Sequence, residues 1–499
     1  MAVFTVLNGT GIGGAGVQFG TIGSTIAAGG IAGNPNMSGA TGFINLVGGG
    51  RLTFTGAGLS FSPPSTFGGT VTSMTYAKPA ATQIFSITGM NTALATVAGL
   101  VTGGDENTVL AAIFSGNDRI LGSTQADTLK GYDGDDTLRG GAGADNLDGG
   151  NGNDTVNYQG SDTDVFVDLK SGLNFAGHAQ GDVLTSIENI YGSSFDDTLS
   201  GSDARNVIGG ENGADLIKGN GGDDSVSGEA GNDIIDGGNG HDRVVGGIGN
   251  DNMSGDDADE AGDGNDSMDA GDGNDSVFGN GGSDSIYGGA GDDTLNGGSG
   301  NDILEGAAGA DAMDGGDGID TVSYASSAAA VTVAMGGVST GGDAAGDTMS
   351  NIEQVMGSAN NDAITGDANA NTLWGLGGDD VLIGGVGADV LKGGAGNDSF
   401  AYVTLGDSTV AGSGKDTVID FTTGDKINLA AVDADGNGDN GDTAFTFGAG
   451  AFTGAGQIRV LAFANNRYGV YMETTGDQQP ESIINVYSDH ALVEGDFVL

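Results

Sequence analysis

The sequence predicts an all-β protein organised around a parallel β-roll, and three observations carry that prediction. Gly289-Ala290-Gly291-Asp292-Asp293-Thr294-Leu295-Asn296-Gly297 reads as a nine-residue unit, Gly-Gly-x-Gly-x-Asp-x-(apolar)-x, and the next nine residues repeat it. Its aspartates recur at 266, 275, 284, 293, 302, 311 and 320 without a slip, and a period that strict marks a stack of like units. Almost every periodic aspartate is followed two residues later by Val, Ile or Leu, as Asp293 is by Leu295. Glycine supplies 102 of 499 residues, and with five prolines and no Gly-x-y period the chain is not collagen-like.

The unit explains its own composition. Six residues turn and three form a short strand, so two units make one coil of eighteen residues. The apolar residue points inward and stacks on the coils above and below. Glycine reaches turn conformations closed to other residues and lets two backbones come close to one ion. The aspartate offers a hard oxygen and the turn exposes carbonyls, a donor set suited to Ca²⁺. Stacked coils bring ligands eighteen residues apart together, which pairs Asp284 with Asp302 and Asp293 with Asp311.

In chain order, residues 1–115 are poor in charge and carry short β-branched runs such as Arg51-Leu52-Thr53-Phe54 and Thr70 to Tyr76. They predict a small β-rich domain, with a further strand from Gln83 and a short helix over Thr92 to Val101. Residues 116–156 form a first roll run, with candidate metal ligands Asp118, Asp127, Asp136, Asp145 and Asp154. An insert over 157–194 follows. The second run, 195–322, carries Asp197, Asp215, Asp224, Asp233, Asp242 and Asp251, then Asp266, Asp275, Asp284, Asp293, Asp302, Asp311 and Asp320. Between Asp251 and Asp266 the phase slips by six residues, which predicts a bulged loop and a lost or weakened site.

A second insert, 323–359, is homologous to the first. Val165, Val167 and Leu169 match Val331, Val333 and Met335 at one constant offset, and both inserts return through a Ser/Asn-Ile-Glu segment. The alternation predicts a strand in each, in units that interrupt or cap one run and start the next. The third run, 360–418, carries Asp362, Asp380, Asp389, Asp398 and Asp416. Residues 419–499 turn aromatic and alternating, with strands around Ile458, Tyr468 and Ile484, and predict a β cap that closes an otherwise bare end of the stack.

Charge narrows the function. Lys and Arg total 14 against 68 Asp and Glu, a net charge of −54, which argues against nucleic acid or an anionic membrane as partner. Pairing carboxylates across coils gives about 15 calcium ions, which would bring −54 to about −24. Without cations the stacked carboxylates repel, so ion binding supplies folding free energy, and millimolar extracellular Ca²⁺ would fill sites left empty in a cell. No apolar run is long enough to span a bilayer, and Met1 to Val6 lacks a basic n-region and apolar h-region. The three histidines, His178, His241 and His490, lie far apart, and no His-Glu-x-x-His zinc motif occurs. His241 reads as a solvated turn residue. The alternative to a non-enzymatic calcium protein is a secreted hydrolase with its active site in residues 1–115.

Over 116–420 these nonapeptides resemble the RTX family, the hemolysin-type calcium-binding repeat proteins of bacterial type I secretion. The tail resembles the C-terminal domain of the serralysin metalloproteases, through Asp416-Thr417-Val418-Ile419-Asp420-Phe421, Gly424-Asp425-Lys426-Ile427-Asn428-Leu429 and the closing Asp496-Phe497-Val498-Leu499. That likeness implies an uncleaved C-terminal export signal, a type I secretion apparatus as partner, and a bacterial, secreted or cell-surface location. The protease domain of those enzymes has no counterpart here. Family members without a catalytic domain are often matrix, adhesion or surface proteins, which makes a cell-surface or matrix polysaccharide a partner class implied for this protein.

Overall fold

The computed structural model describes residues 116–256, 264–410, 414–434, 444–448 and 451–499, together with five backbone strands nearer the N-terminus. It divides into two compact units, Met1–Gly238 and Asn239–Leu499.

In the first unit, Ala40–Asn45, Arg51–Ser62, Thr66–Ala77 and Gln83–Ala93 form an antiparallel sheet, with Arg51 opposite Ala77 and Thr75 opposite Ser86. The last of these strands takes up Thr92 and Ala93, where the sequence suggests a helix; the rest of that predicted helix lies outside the described residues. Ala2–Val6 pairs antiparallel with Gln83–Ala93 and parallel with Asp118–Leu121, Phe4 facing Ile120. The N-terminal sheet is thereby hydrogen-bonded to the first strand of the roll.

Beyond residue 116 the strands alternate between two parallel sheets. Asp118–Leu121, Thr137–Arg139 and Thr155–Asn157 stack on one side, and Thr128–Asp133 and Asn146–Asn151 on the other. Partners such as Leu129 and Leu147 are eighteen residues apart, the span of one coil. The core is a column of single apolar side chains, among them Leu129, Leu138, Leu147, Ile190, Leu199 and Ile217, all fully buried. One apolar residue per nine gives a narrow core, so coil stacking cannot rest on hydrophobic burial alone.

The first insert does more than interrupt the roll. Asn189–Tyr191 joins Thr155–Asn157, and Val207–Gly209 follows it, so this sheet runs on unbroken. On the other side Val183–Thr185 pairs with Asn146–Asn151 and ends that sheet. Phe166–Asp168, folded back antiparallel on Leu173–Phe175, pairs with Thr198–Ser200 and begins a new one.

The second unit repeats this plan. Ser276–Gly281, Thr294–Gly300 and Ala312–Gly318 stack in parallel, and Thr348–Ser350 of the second insert pairs with the last of them. Gln354–Met356 extends the opposite sheet, while Thr332–Ala334 opens a new one with Ala363–Thr365. At the phase slip, Arg243–Ile248 pairs with Ser267–Asp272, Val244 facing Met268, so the coil is lengthened and its pairing kept. Residues 257–263, where a bulge is expected, lie outside the described residues.

The cap closes both sheets. Ser482–Ser488 pairs in parallel with Thr417–Phe421, and carries the antiparallel strands Arg467–Glu473 and Gln457–Ala462. Phe497–Val498 pairs with Lys426–Asn428, Phe497 facing Ile427. The closing residues Phe497–Val498 therefore form a strand of the roll.

Candidate calcium centre

Each repeat turn hands its carboxylate to the coil before it. In the first unit the N–H of Asp118 donates to Oδ1 of Asp136 at 2.7 Å, and that of Asp136 to Asp154 at 2.8 Å. Asp127 donates to Asp145 at 2.7 Å, Asp197 to Asp215 at 2.7 Å, and Asp215 to Asp233 at 2.8 Å. Asn206, an asparagine in the aspartate phase, donates to Asp224 at 2.7 Å.

In the second unit one column runs Asp242, Asp266, Asp284, Asp302, Asp320, every step at 2.8 Å. The other runs Asp251, Asp275, Asp293, Asp311 at 2.7 to 2.9 Å. The third run continues as Asp362, Asp380, Asp398 and as Asn371, Asp389, Asp416, at 2.8 to 3.0 Å. The steps from Asp242 to Asp266 and from Asp251 to Asp275 span 24 residues, so this ladder crosses the phase slip intact.

One carboxylate oxygen is thus used by the protein. The other is not: Oδ2 of Asp136, Asp215, Asp284, Asp293, Asp302, Asp311, Asp380 and Asp398, among others, is buried and takes no hydrogen bond. A lone buried carboxylate oxygen is costly unless something positive meets it. The geometry around it fits a cation. A Cβ on Gly279 would fall 2.3 Å from Oδ2 of Asp284 and 2.4 Å from the carbonyl oxygen of Gly297; a Cβ on Gly131 would fall 2.1 Å from Asp136 Oδ2 and 2.4 Å from Gly149 O. Only glycine keeps that space open, and because both oxygens lie so near one point they stand within about 5 Å of each other, a span two ligands of one Ca²⁺ can have. With no ion counted, burial pushes the acid up, to about 7 for Asp136, Asp284 and Asp311 and about 8 for Asp266 and Asp416, and neighbouring carboxylates add to it.

Three sequence-predicted ligands differ. Asp127, Asp197 and Asp362 belong to turns reading Gly-Ser-x-x-x-Asp, without the third glycine. Ser123 donates to Asp127 Oδ2 from its N–H at 2.6 Å and its hydroxyl at 2.9 Å. The hydroxyls of Ser193 and Ser358 reach Oδ1 of Asp197 and Asp362 at 2.8 and 2.9 Å, while their N–H groups hold Oδ2. Both oxygens of Asp197 and Asp362 are thereby engaged, whereas Oδ1 of Asp127 stays buried without a hydrogen bond.

Sequence reading passed over the inserts' contribution to the ladder. Asp145 N–H meets Oδ1 of Asp182 at 2.8 Å and Asp311 N–H meets Oδ1 of Asp347 at 2.9 Å; Glu188 and Glu353 receive Asp154 and Asp320 at 2.8 and 3.0 Å. The second oxygens of Asp182 and Asp347 accept from the buried hydroxyls of Tyr158 and Tyr324, at 2.9 and 2.8 Å. The shared Asp-x-x-Thr/Ser-x-Ile-Glu of the two inserts, Asp182 to Glu188 and Asp347 to Glu353, was the available signal. Asp425 was likewise passed over, and receives Asp398 N–H at 2.9 Å. His241, read as solvated, accepts the N–H of Asn265 at 2.7 Å through Nδ1.

Parallel coils with buried carboxylates beside glycine-lined turns define a calcium-type β-roll. Residues 114–156, 185–322 and 350–401, in overlapping segments, match the model of one family, the RTX calcium-binding nonapeptide repeat. The repeat region of this chain belongs to that family. No curated protein matches the chain.

Proposed function

We propose that this protein is a secreted, non-enzymatic calcium-binding scaffold that folds when Ca²⁺ fills its turns outside the cell. The observation that supports it is the buried Oδ2 left without a hydrogen bond in turn after turn, in several turns beside a carbonyl oxygen of the neighbouring coil, as at Asp136 and Asp284. The ligands we assign are the periodic aspartates named above except Asp197 and Asp362, whose two oxygens are already engaged by nearby donors. When bound, the ion cancels the like charges of stacked carboxylates. The chain's own part is to hold Oδ1 through the ladder N–H and to keep Oδ2 aimed into the glycine cradle.

We extend the proposal to export by a type I apparatus with a C-terminal signal at Asp496-Phe497-Val498-Leu499, on the resemblance of the tail to the serralysins. A surface or matrix role, with residues 1–115 engaging a polysaccharide, is the part of the reading that isolated 1–115 can test in a glycan-binding screen. The calcium-gated fold is tested by circular dichroism and small-angle scattering of the full chain at matched ionic strength. In EDTA the repeats should be expanded and poor in β structure. Millimolar Ca²⁺ should compact them cooperatively, and Mg²⁺ should do much less because it holds its waters and prefers a smaller octahedral shell. A compact, β-rich chain in EDTA at neutral pH would overturn the proposal.

A further inference from the structure

The C-terminal cap carries a second kind of acidic cluster, outside the repeat pattern. Arg467–Glu473 and Ser482–Ser488 are antiparallel neighbours, with Met472 facing Ser482, and the loop between them reads Thr474-Thr475-Gly476-Asp477-Gln478-Gln479-Pro480-Glu481. It brings Glu473, Asp477 and Glu481 together, with one oxygen of each within 4.8 Å of the others. Glu473 is 0 % exposed, and its Oε2 is buried with no hydrogen-bond partner. We infer that this loop is a further binding site for a hard divalent cation of calcium size, built from Glu473, Asp477 and Glu481.

The argument is one of charge and reach. Three carboxylates so close repel strongly, and more so where one is withdrawn from water. Among the described residues no basic side chain forms an ion pair with any of them. The nearest cationic strand position, Arg459 opposite Tyr471, spreads its guanidinium over the rings of Phe452 and Tyr471 at 5.7 and 5.9 Å. Oxygens around one Ca²⁺ at 2.3–2.6 Å stand at most about 5 Å apart, so a common span of 4.8 Å admits one ion in contact with all three.

Local donors hold the carboxylates in position from outside. Thr474 N–H and the Thr475 hydroxyl each reach Glu481 at 2.8 Å, Gln479 N–H reaches Asp477 at 2.8 Å, and Gly476 N–H reaches Glu473 Oε1. Gly476 turns the loop at φ +82°. An ion here would fasten the hairpin whose second strand, Ser482–Ser488, closes the roll against Thr417–Phe421. Its place is thus at the end of the stack, where no further coil supplies ligands.

Hydrogen exchange with mass spectrometry on the full chain, titrated with Ca²⁺ alone, separates this site from the repeats peptide by peptide. In the wild type, calcium should slow exchange in the peptide spanning 473–482. D477N, at an exposed position, and E481Q should each raise the calcium midpoint for that peptide by about tenfold, the equivalent of one lost charged ligand. Peptides within 276–318 should keep their own midpoints. E473Q, which preserves shape at the buried position, should do the same or more. Calcium-independent protection of 473–482, or unchanged midpoints in D477N and E481Q, would overturn the site whether or not the repeats bind.

Discussion

Tyr324 gives its hydroxyl hydrogen to Oδ2 of Asp347 at 2.8 Å, at the ladder position where repeat aspartates such as Asp293 and Asp311 leave the same oxygen bare. In each insert a phenol stands where the repeats present an open oxygen. Y324F keeps the ring and removes the donor, leaving a buried acceptor unsatisfied. It should lower stability by about 1–3 kcal/mol without changing calcium stoichiometry, as read by urea unfolding and calorimetry of the calcium-loaded protein. Wild-type stability in Y324F would mean the contact is incidental.

Asp302 separates the two duties of a repeat carboxylate. Its Oδ1 accepts Asp284 N–H at 2.8 Å and its Oδ2 faces the cradle at Gly297. D302N keeps an acceptor for the ladder and loses the charge, so it should weaken calcium binding while sparing the metal-free chain. D302A loses both, and should cost a further 1–3 kcal/mol or about that. Calorimetric titration and urea unfolding of both variants check this; identical behaviour would merge the two roles.

The raised acids fix the sign of the pH dependence. Unfolded aspartates titrate near 3.8, whereas burial holds folded Asp284 and Asp311 at about 7 and Asp266 at about 8. Between those values the folded metal-free chain binds more protons than the unfolded one, so its stability is present at low pH and lost as pH rises toward 8. In EDTA the chain should be more compact at pH 5 than at pH 8. Calcium competes with those protons, so binding should tighten with rising pH and release protons near pH 6.5. Titration in buffers of different ionisation enthalpy would reveal the release, and its absence would refute the protonated resting state.

Phe497 is 8 % exposed, pairs with Ile427 and lies 5.5 Å from the Phe447 ring. The tail is therefore part of the cap, and F497A should destabilise the calcium-loaded protein by about 3 kcal/mol. Deleting Asp496 to Leu499 should abolish type I export and also loosen the cap. Thermal unfolding of both variants with calcium would decide. A cap unaffected by either change would return the tail to a free appendage.

Legibility followed period. The repeat turns could be read directly because a ligand and its neighbour eighteen residues on obey one rule, which is why the partnership of Asp293 with Asp311 was visible in advance. Asp182 was not, since it answers Asp145 across 37 residues with no period to announce it. Asp127, Asp197 and Asp362 depart from the other turns for a related reason. Phase assigned them to ions, and a single serine four residues earlier gave the carboxylate a nearer donor.

The sequence by itself determined the coil, its inward residue and its acidic charge, because each depends only on neighbours at fixed spacing along the chain. The tertiary structure alone decided how the inserts end one sheet and open another, how Tyr158 and Tyr324 meet their aspartates, and how Ser408 reaches Ile483 and Phe497 reaches Ile427. Those contacts join residues brought close only by folding, and a buried polar atom takes whichever partner the assembled chain presents to it.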